Sequence, residues 1–305
     1  MYDIVIVGAG TAGLSAAIYG VRAGKSVLVL EAMTYGGQIV SSAEVENYPG
    51  IARISGFEFA TGLYEQAKSL GAQVDFSDVL SVEKDGETFK VTTESGTVEC
   101  GAVILATGAK NRPLGVEREE RMVGAGLSYC ATCDGAFFRD RVTAVVGGGN
   151  TALEDAEFLS SYCKKVYVIH RRDTFRGEDW MVRSLQAKEN VSFILDSVVE
   201  ELLGENGLTG IRIRNKKTGQ TSELAVDGLF VAIGQMPDNR RFASLVSLDE
   251  GGYIRAGEDC KTSCEGIFAA GDCRTKTVRQ LATAAADGAV AALAACQYIN
   301  EKAGR

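Results

Sequence analysis

The chain has 305 residues, 46% hydrophobic and 24% charged, and carries a formal net charge of −8. That length accommodates two medium domains with proper cores, and the acidic balance argues against nucleic acid as the main partner. Eight cysteines in so long a chain do not form a disulfide scaffold, no apolar run reads as long enough for a membrane span, and Met1-Tyr2-Asp3 leads directly into an apolar segment with no secretory signal. The expectation is a cytoplasmic protein with mostly reduced thiols.

Ile4–Val7 reads as a short, fully apolar strand. Gly8-Ala9-Gly10-Thr11-Ala12-Gly13 follows, then a helix from Leu14 closed by Gly24, then a second strand, Ser26–Leu30, ending in Glu31. Each part has a task. Gly8 makes the tight turn, Gly10 lets a pyrophosphate approach the helix N-terminus, and Gly13 lets helix and strand pack closely. Glu31 stands where a carboxylate takes a ribose hydroxyl, so the unit reads as a site for an adenine dinucleotide without a 2′-phosphate, such as FAD. The alternative is a glycine-rich turn without a ligand.

Tyr35-Gly36-Gly37-Gln38 and Glu44–Gly50 form a long polar loop beside that turn, either functional or a plain connection. The spacing predicts a helix over 57–70 and strands over 73–82, 88–93 and 97–105, the last ending at Ala106-Thr107-Gly108.

Ser128-Tyr129-Cys130-Ala131-Thr132-Cys133-Asp134-Gly135 places two cysteines two residues apart with a carboxylate directly after. The spacing suits a dithiol that opens and closes. If the segment begins a helix, the free N–H groups favour a thiolate, and Asp134 is placed to hand a proton to a leaving thiolate. The alternative is half of a structural zinc site, which needs two more ligands at matching spacing.

The first pattern then recurs. Val142–Val146 reads as a strand, Gly147-Gly148-Gly149-Asn150-Thr151-Ala152 as the turn, Leu153–Leu159 as a helix and Val166–Ile169 as a strand. At the place of Glu31 stands His170, followed by Arg171, Arg172 and, a little further on, Arg176. Guanidinium groups bind a 2′-phosphate that a carboxylate would repel, so this unit reads as an NADP site. The alternative is a solvated, charged strand end. Strands over 191–198, 208–214 and 228–231 follow, ending at Ala232-Ile233-Gly234, an echo of the first unit's strand end. Two homologous nucleotide domains are the simplest account, with the longer loop after Glu31 absorbing the difference in length. A last strand ends at Gly271-Asp272, before Arg279-Gln280-Leu281 and an alanine-rich helix over 282–299. Asp272 suits a ribityl hydroxyl, although an ordinary strand–helix pair has the same pattern.

The glycine motifs, Gly36-Gly37-Gln38, the Cys130–Gly135 segment, His170–Arg176 and Gly271-Asp272, in this order and spacing, resemble the low-molecular-weight thioredoxin reductases over nearly the whole chain. The resemblance implies an α/β fold of two Rossmann-like three-layer domains. The NADPH domain (113–241, carrying the dithiol) is inserted into a discontinuous FAD domain (1–112 and 242–305). FAD contacts are implied at Thr11, Ala12, Ala32, Asn47, Val79, Ala106, Thr107 and Gly108, and at Gly271, Asp272, Arg279, Gln280 and Leu281. NADPH contacts are implied at Gly147, Gly149 and Asn150–Ala152, at His170 with the three arginines, and at Ile233 and Gly234. NADPH would reduce the flavin, the flavin a Cys130–Cys133 disulfide, and the dithiol a thioredoxin or similar small disulfide protein. Cys130 would be the attacking thiol, Cys133 the one nearer the flavin and Asp134 the acid. A homodimer and a rotation of one domain against the other, hinged near 112–115 and 237–243, are also implied. Ala125 stands where many relatives carry arginine. The remaining cysteines read as buried small hydrophobes, with a second redox pair at Cys260 and Cys264 as the alternative. Competing functions are a same-fold reductase with a ferredoxin donor or another acceptor, and a flavin-binding sensor without turnover.

Overall fold

In a computed structural model, residues 1–42 and 44–304 are described. The chain divides into two compact units, Met1–Lys110 with Met236–Arg305, and Asn111–Gln235.

The first unit opens with β1 (Tyr2–Val7), α1 (Thr11–Arg22) and β2 (Val27–Glu31). Ile4, Val5 and Ile6 are fully buried, as a parallel strand covered on both faces requires. A 3-10 turn at Gly37–Ser41 precedes α2 (Gly56–Ser69). A capping box starts α2: the Glu58 N–H donates to Ser55 Oγ at 3.1 Å, and the Ser55 N–H donates to the Glu58 carboxylate at 3.2 Å. Then come β3 (Gln73–Phe76), β4 (Val79–Asp85), β5 (Thr88–Thr93) and β6 (Gly96–Leu105). The single strand expected over 73–82 is therefore two. β3 pairs with β2 at one edge of the sheet and β4 with β5 at the other, so one straight strand cannot serve both partners.

Through β7 (Lys110–Asn111) the chain enters the second unit. There it forms α3 (Glu119–Met122), β8 (Leu127–Ser128), α4 (Ala131–Asp134), β9 (Val142–Gly147), α5 (Asn150–Ser160) and β10 (Lys165–Ile169). α6 (Asp179–Gln186), β11 (Val191–Ile194), β12 (Ser197–Leu203), β13 (Gly210–Asn215), β14 (Thr221–Leu224) and β15 (Gly228–Ala232) complete it. The parallel sheet runs β11-β10-β9-β15-β8, with an antiparallel β12-β13-β14 sheet beside it in the chain. The strand expected over 191–198 is also two, broken where Asp196 takes a left-handed φ of 52°. α6 and the polar, exposed β14 have no counterpart in the expected elements.

β16 (Gln235–Met236) leads back to the first unit, which ends with β17 (Ile267–Ala269) and α7 (Leu281–Ala303). β17 pairs parallel with β6, so the C-terminal segment completes the first sheet. α7 lies close on α1: a Cβ on Gly288 would stand 2.2 Å from the Ala12 carbonyl oxygen, and Ser15 Oγ donates to the Ala285 carbonyl at 2.7 Å. At 23 residues, α7 is long and apolar enough by length and composition to cross a membrane, which corrects the reading that no such run exists. Its Ala284, Ala291, Ala292 and Ala295 are buried in the core of the first unit, so its apolar character serves packing.

Both units are thus α/β with a Rossmann-like parallel sheet. The units divide at 110/111 and 235/236, whereas 112/113 and 241/242 were expected. The second difference has a clear cause. Asn239 is fully buried and donates to the carbonyls of Gly252 and Cys273 while accepting from Thr107 Oγ1 at 2.8 Å. These bonds fix residues around 239 within the first unit. Leu114 and Gly115 are likewise fixed in the second, each N–H donating to Glu119 at 2.8 Å.

Candidate active site

A disulfide joins Cys130 to Cys133. The helix that holds them, α4, is a single turn of four residues with Cys130 as its N-cap, and a 3-10 turn at Gly135–Phe138 follows at once. One turn aligns too few peptides to act as a macrodipole, so the helix-start expectation for the thiolate has little force here. The carboxyl group is better placed. Ser128 Oγ donates to Asp134 Oδ2 at 2.5 Å. Burial raises Asp134 above the usual carboxylate value, and the Ser128 hydrogen bond only partly opposes this. A carboxyl group so held retains its proton at higher pH than an exposed aspartate and suits general acid work.

In the first unit, Gly8 takes φ +108°, and a Cβ there would stand 2.4 Å from the Ala106 carbonyl oxygen. A Cβ on Gly13 would stand 1.9 Å from the Gly8 carbonyl oxygen, so helix and turn are in closest packing. Gly10, the N-cap of α1, is open by contrast, its nearest such contact being 3.9 Å. Thr11 and Ala12 lie buried in the first turn of α1. Glu31 accepts the N–H of Ala9 at 2.8 Å and of Met33 at 3.1 Å, with Ala32 exposed between.

The loop after Glu31 folds onto this turn. Gly36 N–H donates to the Ala9 carbonyl at 2.8 Å, Gly37 takes φ +67°, and Gln38 Nε2 donates to the Ala109 carbonyl. Asn47 donates to Gln280 Oε1 at 3.1 Å, bringing the loop to the start of α7, where Gln280 is the N-cap and Leu281 the first residue. Residues 46–52 line a cavity of about 500 Å³. Ala106 is buried at the end of the central strand, and Gly108 turns the chain with φ +66°. Gly271 takes φ +79°, and its N–H donates to Asp287 Oδ2 at 2.9 Å. Val79 is buried, its carbonyl accepting from Arg241 at 2.6 Å.

Among the described residues, three buried polar atoms of this unit have no hydrogen-bond partner, Asp272 Oδ1, Arg279 Nε and Tyr298 Oη, and the first two stand next to Gly271 and Gln280 in the chain. Asp272 is raised above the usual carboxylate value, mainly by burial. Such atoms need hydrogen-bonding partners, so the cluster fits a large polar ligand. The open Gly10 face and the free acceptor on Asp272 suit the pyrophosphate and the ribityl chain of FAD.

In the second unit, a Cβ on Gly147 would stand 2.4 Å from the Ala232 carbonyl oxygen, whereas Gly149, the N-cap of α5, is open. Asn150 Oδ1 accepts the Glu178 N–H at 2.9 Å, Thr151 is exposed and Ala152 is buried. Arg176 and Gly177 donate their N–H groups to the Gly148 carbonyl at 2.7 and 3.2 Å, which brings the arginine segment onto the glycine turn. Arg171, Arg172 and Arg176 are exposed and form no ion pair among the described residues, whereas nearby Asp173 is engaged by Lys217 at 2.8 Å. The cationic face is therefore open to an anion.

His170 differs from its neighbours. Its ring is buried, bonds the Thr174 carbonyl at 3.0 Å and stacks on Phe175. Burial lowers its pKa, so the ring is a neutral strut against Gly148 and supplies no charge. Sequence reasoning missed Trp180 and Arg183, which with Arg176 line a cavity of about 420 Å³. An arginine and an aromatic side chain one turn beyond the cluster were the readable signal. Ile233 and Gly234 directly follow β15, Gly234 with φ +109°. Cys260 and Cys264 remain free, and burial pushes the Cys260 thiol up to about 12, which leaves it with no thiolate for exchange at neutral pH.

The match to proteins of known kind is extensive. Residues 2–289 match the model for pyridine nucleotide-disulphide oxidoreductases. A thioredoxin reductase of Listeria innocua is 43% identical over 303 residues, 99% of this chain and 95% of that one. One from Bacillus subtilis is 40% identical over 99% of this chain and 96% of its own. The crystal structure of thioredoxin reductase from Streptococcus pyogenes, 41% identical, superposes with a TM-score of 0.94 over 99% of both chains. With this similarity joined to the two glycine turns and the Cys130–Cys133 disulfide, the chain belongs to the thioredoxin reductases of the pyridine nucleotide-disulphide oxidoreductase family, enzymes that use FAD and NADPH.

Proposed function

We propose that the protein reduces the disulfide of a thioredoxin or a similar small protein at the expense of NADPH. The observation that carries this is the Cys130–Cys133 disulfide with a buried carboxyl group one residue further on, in the same unit as three exposed arginines that form no ion pair among the described residues. The first unit would hold FAD at Gly8, Gly10, Gly13, Glu31, Gly36–Gln38, Asp272 and Gln280. The second would hold NADPH at Gly147–Ala152 and the guanidinium groups. When bound, FAD supplies two-electron carriage between nicotinamide and dithiol.

The chain's own residues do the rest. Opening of the Cys130–Cys133 bond by two electrons gives two thiolates, and Asp134 holds a proton for the thiolate that the partner's disulfide then expels. The Cys130 thiolate attacks one sulfur of the partner's disulfide and expels the other, forming a mixed disulfide. Cys133 then attacks the Cys130 sulfur, which releases the partner as a dithiol and re-forms the Cys130–Cys133 bond. Exposed Tyr19 on α1 and Leu293 on α7 support a homodimer paired through the first unit. The net charge of −8 supports a protein whose main partner is not nucleic acid, and the free cysteines support a cytoplasmic one.

The test is anaerobic. NADPH is expected to bleach the yellow holoenzyme faster than NADH, and added oxidised thioredoxin is expected to yield stoichiometric thiols. The Cys133→Ser variant should still bleach and release none. Bleaching of wild type without thiols would mean a different acceptor, and no bleaching with either nucleotide would mean a ferredoxin-type donor.

A further inference from the structure

We propose that Ser128 is a positioning residue for the dithiol: its hydroxyl ties the Cys130 backbone to the Asp134 carboxylate and holds the proton donor in place through both of its protonation states. The inference rests on the reductase reading above and deepens it.

Ser128 ends the two-residue strand β8, which pairs with β15 through Phe230, and is only 4% exposed. It is therefore fixed to the central sheet of its unit, while the segment it faces is one short helical turn. Its oxygen accepts the Cys130 N–H at 3.0 Å. Its single hydroxyl proton has two acceptors in reach, Asp134 Oδ2 at 2.5 Å and the Cys130 carbonyl at 3.3 Å. The nearer takes the proton while Asp134 is ionised. Once Asp134 is protonated, the hydroxyl turns to the Cys130 carbonyl, and its second lone pair is free to accept from the carboxyl group. One side chain thus serves the acid before and after it gives up its proton, without movement of the backbone.

The other groups around this segment do not do this. Just beyond the end of α5, the Tyr162 hydroxyl abuts Gly135 and has no hydrogen-bond partner among the described residues. Asp155, which burial pushes up to about 7, and Arg139 both act on Tyr162. Tyr129 turns away to Glu119. The ionisation of Asp134 is governed by burial and then by Ser128 alone.

The test uses FAD-loaded Ser128→Ala, Asp134→Asn and the double variant beside wild type. The carboxyl band of Asp134, identified by its loss in Asp134→Asn, is titrated by infrared spectroscopy, and the pH dependence of thioredoxin reduction is recorded in parallel. Without Ser128, the bond that favours the carboxylate is gone. The band in Ser128→Ala should therefore titrate at higher pH than in wild type, and the falling alkaline limb of the rate should move the same way. In the Asp134→Asn background the serine change should add nothing. A uniform loss of rate with band and limb unmoved, or additive losses in the double variant, would overturn the proposal. Failure of wild type to release thioredoxin thiols would overturn the reductase reading instead, and the carboxyl titration would still report on Ser128.

Discussion

The Glu119 carboxylate accepts the Tyr129 hydroxyl at 2.7 Å while also accepting the N–H groups of Leu114 and Gly115 at 2.8 Å. Glu119 is 5% exposed, so these three donors stand in for water around a buried charge. The residue before the first redox cysteine is thereby joined to the segment by which the chain enters the second unit. Tyr129→Phe removes one donor and should cost about 1.5–3 kcal/mol, the usual value for a hydrogen bond to a charged group. Glu119→Ala frees three donors at once and should cost more. Urea unfolding of the two variants checks the order. A larger loss for Tyr129→Phe would show that the hydroxyl matters for some reason other than this carboxylate.

Gly10 and Gly13 should separate folding from cofactor binding. A Cβ on Gly13 meets the Gly8 backbone at 1.9 Å, so Gly13→Ala must push α1 off the turn, lowering both stability and FAD retention. A Cβ on Gly10 meets only the Gly36 carbonyl oxygen at 3.9 Å, with an ordinary φ of −77°. Gly10→Ala should leave thermal stability of the apoprotein unchanged and still weaken FAD, because the methyl group occupies the face a pyrophosphate approaches. Equal FAD affinity in Gly10→Ala and wild type, measured by flavin fluorescence, would place the phosphates elsewhere.

These glycines were readable because their requirement is local: a strand, a tight turn and a helix leave only a few backbone solutions, and the residues stand next to one another. The capping box of Ser55 and Glu58 was readable for the same reason, although periodicity alone predicted α2. Ser128, Glu119 and Asp287 were not. Each is a single polar residue whose partner depends on how the chain returns through space; Asp287 sits within an alanine-rich helix and bonds Arg274, thirteen residues before it. The broken strands at 73–82 and 191–198 failed similarly: each run is interrupted only by a polar pair, Ser77-Asp78 or Asp196-Ser197, and the different partner strands and the left-handed φ of Asp196 that turn that pair into a break are set by the fold. The neutral role of His170 was hidden by its arginine neighbours, and only its burial under Phe175 reveals it.

Arg171→Ala with Arg172→Ala should weaken NADPH far more than NADH. Each guanidinium bond to a phosphate contributes about 1.5–3 kcal/mol, so loss of two corresponds to at least a hundredfold change in Kd for NADPH. NADH lacks the 2′-phosphate and should change little. Titrations at two salt concentrations check this, since the NADPH difference should shrink at high ionic strength. Equal losses for both nucleotides would sink the 2′-phosphate assignment.

The last prediction concerns the buried charges behind Asp272. Asp287 accepts from Arg274 Nε and Nη2 and from Lys276 Nζ, each at 2.8 Å, and Arg274 is 1% exposed. Burial opposes ionisation of Asp287, but the bonds from Arg274 and Lys276 outweigh it and leave the carboxyl group below its ordinary value of 3.8. A carboxyl group lowered in the folded state contributes stability that is complete above its unfolded value and is lost as pH falls through the folded one. Asp287→Asn removes the ion pair of the buried Lys276 side chain and leaves the buried Arg274 only the exposed Glu258 at 3.3 Å, and should cost about 3–5 kcal/mol at neutral pH. Urea unfolding from pH 7 downward should show a constant gap between variant and wild type until pH drops below about 3.8, after which the gap closes as Asp287 takes up its proton. Because Asp287 also holds the Gly271 N–H, the variant should release FAD more readily over the same range. A gap that narrows already between pH 7 and pH 5 would mean that Asp287 is not the ionised centre of this cluster.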